Sequence, residues 1–417
     1  MPIAITATRP HAIDEKSRIL GLHRILPMAY RQQSFAALWQ QRLDRLAEDE
    51  ADAAALMDMA IILQSLSRSR DARLMMDQAI GLRKDYTVVH GDGSGLRILA
   101  LVTAGDFMAN TPIDFLLNGS NAVLLLHYVD GDTPDLDDLP DHDIAFFAIG
   151  EGNDHGPVLA RMAQLLPRYG RPMMNRDPGL IGGLTRDGVS AMLADEPAIL
   201  APETHRLDRR ALLAIAAGEA RLGDYLPLES FPLIIRPVGT HAGHGMERIA
   251  NASALHAYLA AEQGDRFYIA PFIDYRGADG LFNKQRIVLI DGKPYPGHMA
   301  LSDHWMVHYL SAGMAEDTGK RAVEAAWMEH FDSDFAQRHA AAFAALNRHI
   351  GLDYFGLDCA ELPDGRLLVF ELDVAMIVHD MDDHATFPYK ARAMQRLFGA
   401  FMAAAERKRG SVAGLAA

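Results

Sequence analysis

A single cysteine, Cys359, among 417 residues excludes an intrachain disulfide and any zinc site built on thiolates. No run rich in lysine or arginine occurs, and the formal net charge is -15. Non-specific nucleic-acid binding depends on basic side chains that neutralise phosphates, so that class is excluded. No stretch of ~18 uncharged apolar residues appears, so no membrane span is expected. Met1 to Leu20 carries charges throughout and lacks the apolar core of a signal peptide, which makes a cytoplasmic address the expectation. What is present is ordinary for a globular protein, at 49% hydrophobic and 23% charged residues. The length suits two to three domains of about 100–200 residues each.

The pattern changes along the chain. Residues 1–90 read as helical, with Leu56, Met59, Ala60, Leu63, Ala72, Met76 and Ala79 spaced as in one tetratricopeptide-like helix pair. His90-Gly-Asp-Gly-Ser-Gly95 is a linker by composition. From there to about 205, strands at Arg97–Thr103, Ala122–Tyr128, Asp143–Ile149 and Arg171–Met174 alternate with helical segments, which predicts a parallel, doubly wound sheet. Residues 206–280 hold an apolar strand at Phe231–Val238, then Gly239-Thr-His-Ala-Gly-His-Gly245 and a strand at Phe267–Ile273. Residues 281–410 hold a strand at Gln285–Ile290, one long helix at Phe335–Ile350, and two strands facing across Pro363-Asp364-Gly365. The expected class is α/β, passing to α+β in the C-terminal half, behind an N-terminal helical domain.

The most informative feature is that last hairpin. Alternate residues of a strand share a face, so Glu371 and Asp373 are in phase, on the face of Leu367 and Val369. Pairing across the turn brings Asp358 opposite, and three carboxylates are expected to converge. Like charges packed in a low-dielectric site raise their pKa values or demand a cation. An oxygen-only donor set suits Mg²⁺ or Mn²⁺, commonly shared with substrate phosphates.

Here the chain, over about 97–400, resembles the ATP-grasp superfamily, which includes D-alanine–D-alanine ligase, glutathione synthetase and ribosomal-protein glutamate ligases. In that family an Asp precedes a Glu-x-Asn across a turn, and together they hold magnesium against ATP. Asp358, then Glu371 and Asp373, fit that order, with Asp for the usual Asn. The resemblance implies ATP-binding roles for Arg236 in Ile234-Ile235-Arg236-Pro237, for Arg186, and for Arg286. It implies a lid over the phosphates at Gly239, His241, Gly243 and Gly245, and an adenine-reading strand at Ala270, Phe272 and Ile273. Arg286 and His298 are the implied catalytic candidates. His304 and His308, four apart, would share a face if helical. Two departures fall on the acceptor side: Gly356 replaces an Arg common in the family, and Val374–His384 has no glycine.

The resemblance therefore implies a carboxylate–amine ligase that uses Mg·ATP and an acylphosphate, acting on an amino acid or peptide. The N-terminal helices are suited to recruiting a peptide, and a homodimer is expected from relatives. The alternatives are a phosphotransferase on the same fold and a non-catalytic helical adaptor with a degenerate nucleotide domain.

Overall fold

The computed structural model describes residues 14–227, 230–240 and 243–413. Four helices lead, α1 (Leu22–Tyr30), α2 (Ala36–Glu48), α3 (Ala53–Ser65) and α4 (Ser69–Leu82). Asp52 caps α3 by accepting the Ala55 N–H, which satisfies a donor that the first helical turn leaves unpaired. α3 is buried all round from Ala53 to Leu63, because α1, α2 and α4 pack against it. The Ala/Met face read from the sequence is its contact with α4, and every residue of that face is buried. Asp58, buried mid-helix, is matched by Arg42 Nε at 2.9 Å.

The helical region stops short of residue 90. Asp85–Val89 is a strand, β1, whose Tyr-Thr-Val-Val run suits a pleated, half-covered edge. β1 pairs antiparallel with β3 (Val123–Tyr128), which follows β2 (Arg97–Val102) and the short α5 (Ile113–Leu116). Then come β4 (Ile144–Phe147), α6 (Gly156–Leu165) and β5 (Met173–Met174). The first sheet has the order β1-β3-β2-β4-β5, parallel except for β1. Alternation along β2 assigns its two faces. Ile98, Ala100 and Val102 share a core with the N-terminal helices, so those helices form one face of this layer and have no separate core. Leu99 and Leu101 join a second core with α6.

After α7 (Pro178–Gly182) and α8 (Arg186–Met192), the short β6 (Ile199–Leu200) leaves the first layer for the edge of the third sheet. The second sheet, β7-β10-β8-β9, is antiparallel. It comprises β7 (His205–Asp208), β8 (Leu233–Pro237), β9 (Glu247–Ile249) and β10 (Arg266–Pro271), backed by α9 (Arg209–Ala217) and α10 (Ala252–Ala261). Its inward Leu233, Ile235, Phe267 and Ile269 form a core with those helices.

The third sheet runs β12-β11-β13-β14-β6. Its long strands are β11 (Phe282–Ile290), β12 (Lys293–Ser302), β13 (Tyr354–Glu361) and β14 (Leu367–Asp373). Between them lie α11 (Thr318–His330), α12 (Phe335–Arg338) and α13 (Ala340–Ile350); the helix expected over 335–350 is broken at His339. The closing α14 (Lys390–Ala413) packs on this sheet and on the first. Among the described residues no helix is long and apolar enough to cross a membrane.

Candidate active site

Register in the third sheet aligns four side chains. Arg286 of β11 pairs with His298 of β12 on one side and with Asp358 of β13 on the other, and Asp358 pairs with Glu371 of β14. His298, Arg286, Asp358 and Glu371 therefore form one lateral row across four strands. A bulge flanks the row at each end. On β12 it falls at Gly297, between the pairs Arg286–His298 and Ile287–Pro296. A Cβ at Gly297 would lie 3.0 Å from the Arg286 carbonyl oxygen. On β14 it falls at Phe370, between Asp358–Glu371 and Cys359–Val369.

The second bulge corrects the expected phase. An inserted residue moves every later side chain to the other face. Leu367, Val369 and Leu372 pack in one core, whereas Leu368 packs in another and shares the cavity side with Glu371. Nor do three carboxylates converge. Asp373 lies one pair further on, opposite Gly356, accepts the Ala375 N–H at 2.8 Å and does not line the cavity.

That cavity, about 810 Å³, lies between the second and third sheets. Strand alternation supplies the opposite wall: Ile234 and Arg236 from β8, and Tyr268 and Ala270 from β10, with Pro271, Phe272 and Ile273 continuing. Of the residues singled out from sequence, Arg186, Arg236, Gly243, Ala270, Phe272, Ile273, Arg286, His298, Asp358 and Glu371 line it. Gly239 and Gly245 do not. Both have positive φ, at 83° and 65°, and a Cβ would strike Asn153 at one and Glu262 and Pro237 at the other. His241 lies outside the described residues. His304 and His308 are on an irregular segment and share no helical face; only His308 reaches the cavity.

The charges are ordered in pairs. Arg286 holds Asp358 through Nε and Nη2, at 2.8 and 3.0 Å, and Lys284 Nζ adds a third contact at 2.7 Å. Burial alone would raise the Asp358 carboxyl, but Arg286 and Lys284 override it and hold it well below the usual carboxylate range. Arg186 Nη2 meets Glu371 Oε1 at 2.6 Å, and its charge likewise outweighs burial and keeps Glu371 low. Asp373 has no such cation. Burial and then the neighbouring Glu371 push it up to about 7. Burial lowers Arg236 to about 10, helped by Arg186 beside it. Its Nη2 donates to the Thr240 carbonyl, while its buried Nε has no hydrogen-bond partner among the described residues. Burial, then Arg286 and Lys390, hold His298 well below the usual imidazole value, so it is neutral.

Lys284, Tyr268 and Lys390 also line the cavity and were not singled out from sequence. Lys284 stands two residues before Arg286, and the strand period alone would have flagged it. At the far end, Lys390 Nζ donates to Asp382 Oδ2 at 2.6 Å, and the Tyr30 hydroxyl of α1 donates to Asp382 Oδ1 at 2.6 Å. His379 lines this end, whereas His384 is exposed and bonds Asp380 at 2.9 Å. Gly356 packs against Met376, whose Sδ and Cβ would lie 2.7 and 2.9 Å from a Cβ placed there.

The cavity fits a polyanion. Five basic side chains (Arg186, Arg236, Lys284, Arg286, Lys390) face three carboxylates (Asp358, Glu371, Asp382), in a chain whose net charge is -15. The orphaned Arg236 Nε offers a donor, and the volume is within the ~300–1,000 Å³ of small-molecule sites. Asp358 and Glu371, adjacent in register and oxygen-only, are donors of the type a hard divalent cation takes, and here they are ion-paired, Asp358 with Arg286 and Lys284 and Glu371 with Arg186.

No family model matches the chain, and no curated protein matches it in sequence. Among solved structures, it is similar to a D-alanine–D-alanine ligase from Bacillus anthracis complexed with ATP, at 14% identity and TM-score 0.46, over 76% of this chain and 99% of that one. A RimK domain ATP-grasp protein from Sphaerobacter thermophilus DSM 20745 gives 14% identity and TM-score 0.41, over 74% and 99%. The D-alanine–D-alanine ligase from Coxiella burnetii gives 11% and 0.47, over 77% and 98%.

Proposed function

We propose that this chain is an ATP-grasp ligase that binds Mg·ATP between its second and third sheets and joins a carboxylate to an amine. The observation that carries this is the row His298–Arg286–Asp358–Glu371 facing Arg236 across one cavity. ATP's adenine would rest along Ala270–Ile273, with its phosphates among Arg236, Arg186 and Lys284. Asp358 and Glu371 would hold Mg²⁺, which shields phosphate charge when bound; Asp373 does not line the cavity and is not assigned with them.

The γ-phosphoryl group passes to a substrate carboxylate oxygen and ADP departs. The amine then attacks the acyl carbon and phosphate leaves. Arg286, fixed by Asp358, presents Nη1 toward the Ile377 carbonyl at 3.1 Å and so sits beside the acceptor segment, where an oxyanion would develop. Neutral His298 donates one ring N–H to a substrate oxygen without adding charge. Gly243, which lines the cavity, would lie beside the phosphates.

One observation favours phosphotransfer instead: Gly356 leaves no side chain where relatives place an intermediate-stabilising Arg. Both readings are tested by measuring ADP and free phosphate with Mg·ATP and pooled amino acids and short peptides. Phosphate release that needs an acid and an amine supports ligation. ADP without free phosphate supports a kinase, and failure of ATP to bind sinks both.

A further inference from the structure

A second cluster of chemistry-bearing side chains lies away from the cavity, on the helical side of the first sheet. His23 comes from the first turn of α1, His90 follows β1, and Asp114 lies on α5. His23 Nδ1 and His90 Nε2 each stand 2.9 Å from the same oxygen, Asp114 Oδ1, and the two rings are 4.3 Å apart between centroids. All three ligand atoms lie within 4.8 Å of one another. The His90 and Asp114 side chains are 3% and 6% exposed, and His23 is 15% exposed.

What separates this trio from an ordinary ion-paired histidine is direction. Among the described residues none of the three facing atoms makes an aligned hydrogen bond, although both histidines stand at ion-pair distance from Asp114 Oδ1. By contrast, His127 Nδ1 and Asp85 Oδ1, at 2.7 Å, form an aligned hydrogen bond. The Asp114 carboxylate is held independently, because its other oxygen accepts the His23 backbone N–H at 2.8 Å. Three lone-pair donors converge on one point, held together by close charged contacts and not by aligned hydrogen bonds.

Ligand atoms on a common cation, at bond lengths of about 2.0–2.2 Å, lie roughly 2.9–3.5 Å apart. We propose that His23 Nδ1, His90 Nε2 and Asp114 Oδ1 bind one divalent transition-metal ion, with zinc as the best fit to two imidazoles and a carboxylate. Nitrogen donors disfavour magnesium, so this site and the cavity select different ions. One contact opposes it: Arg24 Nε stands 3.2 Å from His23 Nε2, which must carry a proton once Nδ1 is metallated. That contact is exposed, and Arg24 turns to solvent. The ion pins the first turn of α1, the helix whose Leu26, Ala29 and Tyr30 form part of the cavity wall. The inference stands apart from the nucleotide reading.

The test strips the full chain with a chelator and titrates it with Co²⁺ in excess Mg²⁺, which occupies any oxygen-only site. Expected are about one equivalent of Co²⁺ per chain, a visible d–d absorption displaced by Zn²⁺, and an upward shift in thermal midpoint with Zn²⁺. His90→Gln abolishes all three, whereas Glu371→Gln keeps them. Absence of d–d absorption and of retained metal in the wild type overturns the proposal, as does equal binding by His90→Gln. If His90→Gln fails to fold, His23→Gln replaces it, and the wild-type titration alone still decides.

Discussion

Arg286 and Asp358 face each other as a register pair on β11 and β13, joined by two contacts of 2.8 and 3.0 Å, with Asp358 only 1% exposed. A buried carboxylate tolerates burial only while its cations remain. Arg286→Met should therefore destabilise the chain by about 3 kcal/mol, the low end of the ~3–5 kcal/mol for breaking such a pair, since Lys284 stays. Urea unfolding with an unchanged slope checks this; a loss under about 1 kcal/mol would show that Lys284 suffices.

Glu371 is ion-paired with Arg186 at 2.6 Å. Glu371→Gln should lower ATP-dependent turnover by about 10²–10³-fold, the scale seen when one preorganised electrostatic contact is lost. Without magnesium the same variant should bind ATP more tightly than wild type, because a carboxylate has left a polyanion site. Calorimetric titration with and without Mg²⁺ reads both effects, and unchanged turnover would remove Glu371 from the chemistry.

Gly243 has φ 74°, and a Cβ there would lie 2.4 Å from His308 Nε2. Gly243→Ala should weaken ATP binding through that clash and through backbone strain of about 1–2 kcal/mol. Adding His308→Ala should restore only the part due to the clash, so a double-mutant cycle separates the two. Full additivity would mean that the loop and His308 act independently.

Asp373 carries the pH prediction. Its folded value, about 7, is raised above the ~3.9 of an unfolded Asp, so folding favours its protonated form. The stability it contributes is complete below about pH 4, declines as pH rises, and is lost above about pH 7. Asp373→Asn does not titrate. Thermal melts should show the variant gaining on wild type between pH 5 and pH 8, with a ceiling of roughly 4 kcal/mol from pH 4 upward. A difference independent of pH would mean that Asp373 titrates normally.

The parts of this site that were legible in sequence rest on the family resemblance, with strand alternation beside it. Ile234-Ile235-Arg236-Pro237 and Gln285-Arg286-Ile287 each put one charged residue against an apolar face, and the structure turns both into the cavity. Asp358 faces that end of the second strand as expected, but it meets Glu371 only because of the bulge, since unbroken pairing would set it against Phe370. Asp373 does not join them, and the bulge at Phe370 is why the face was misread: one inserted residue leaves no mark in composition. β1 was hidden because it is short and follows a long helical stretch. The His23–His90–Asp114 trio could not be found by spacing at all, since three distant segments supply it. Lys284 was visible in principle, one strand period from Arg286.

Gly356 closes a route as well as a contact. A Cβ there would meet both the sulfur and the rigid Cβ of Met376, so a long basic side chain needs the acceptor segment rebuilt first. An arginine at 356 does not fit by one substitution, so laboratory selection on that position alone should not recover one. Libraries that seek a larger side chain at 356 should therefore vary 356 and 376 together.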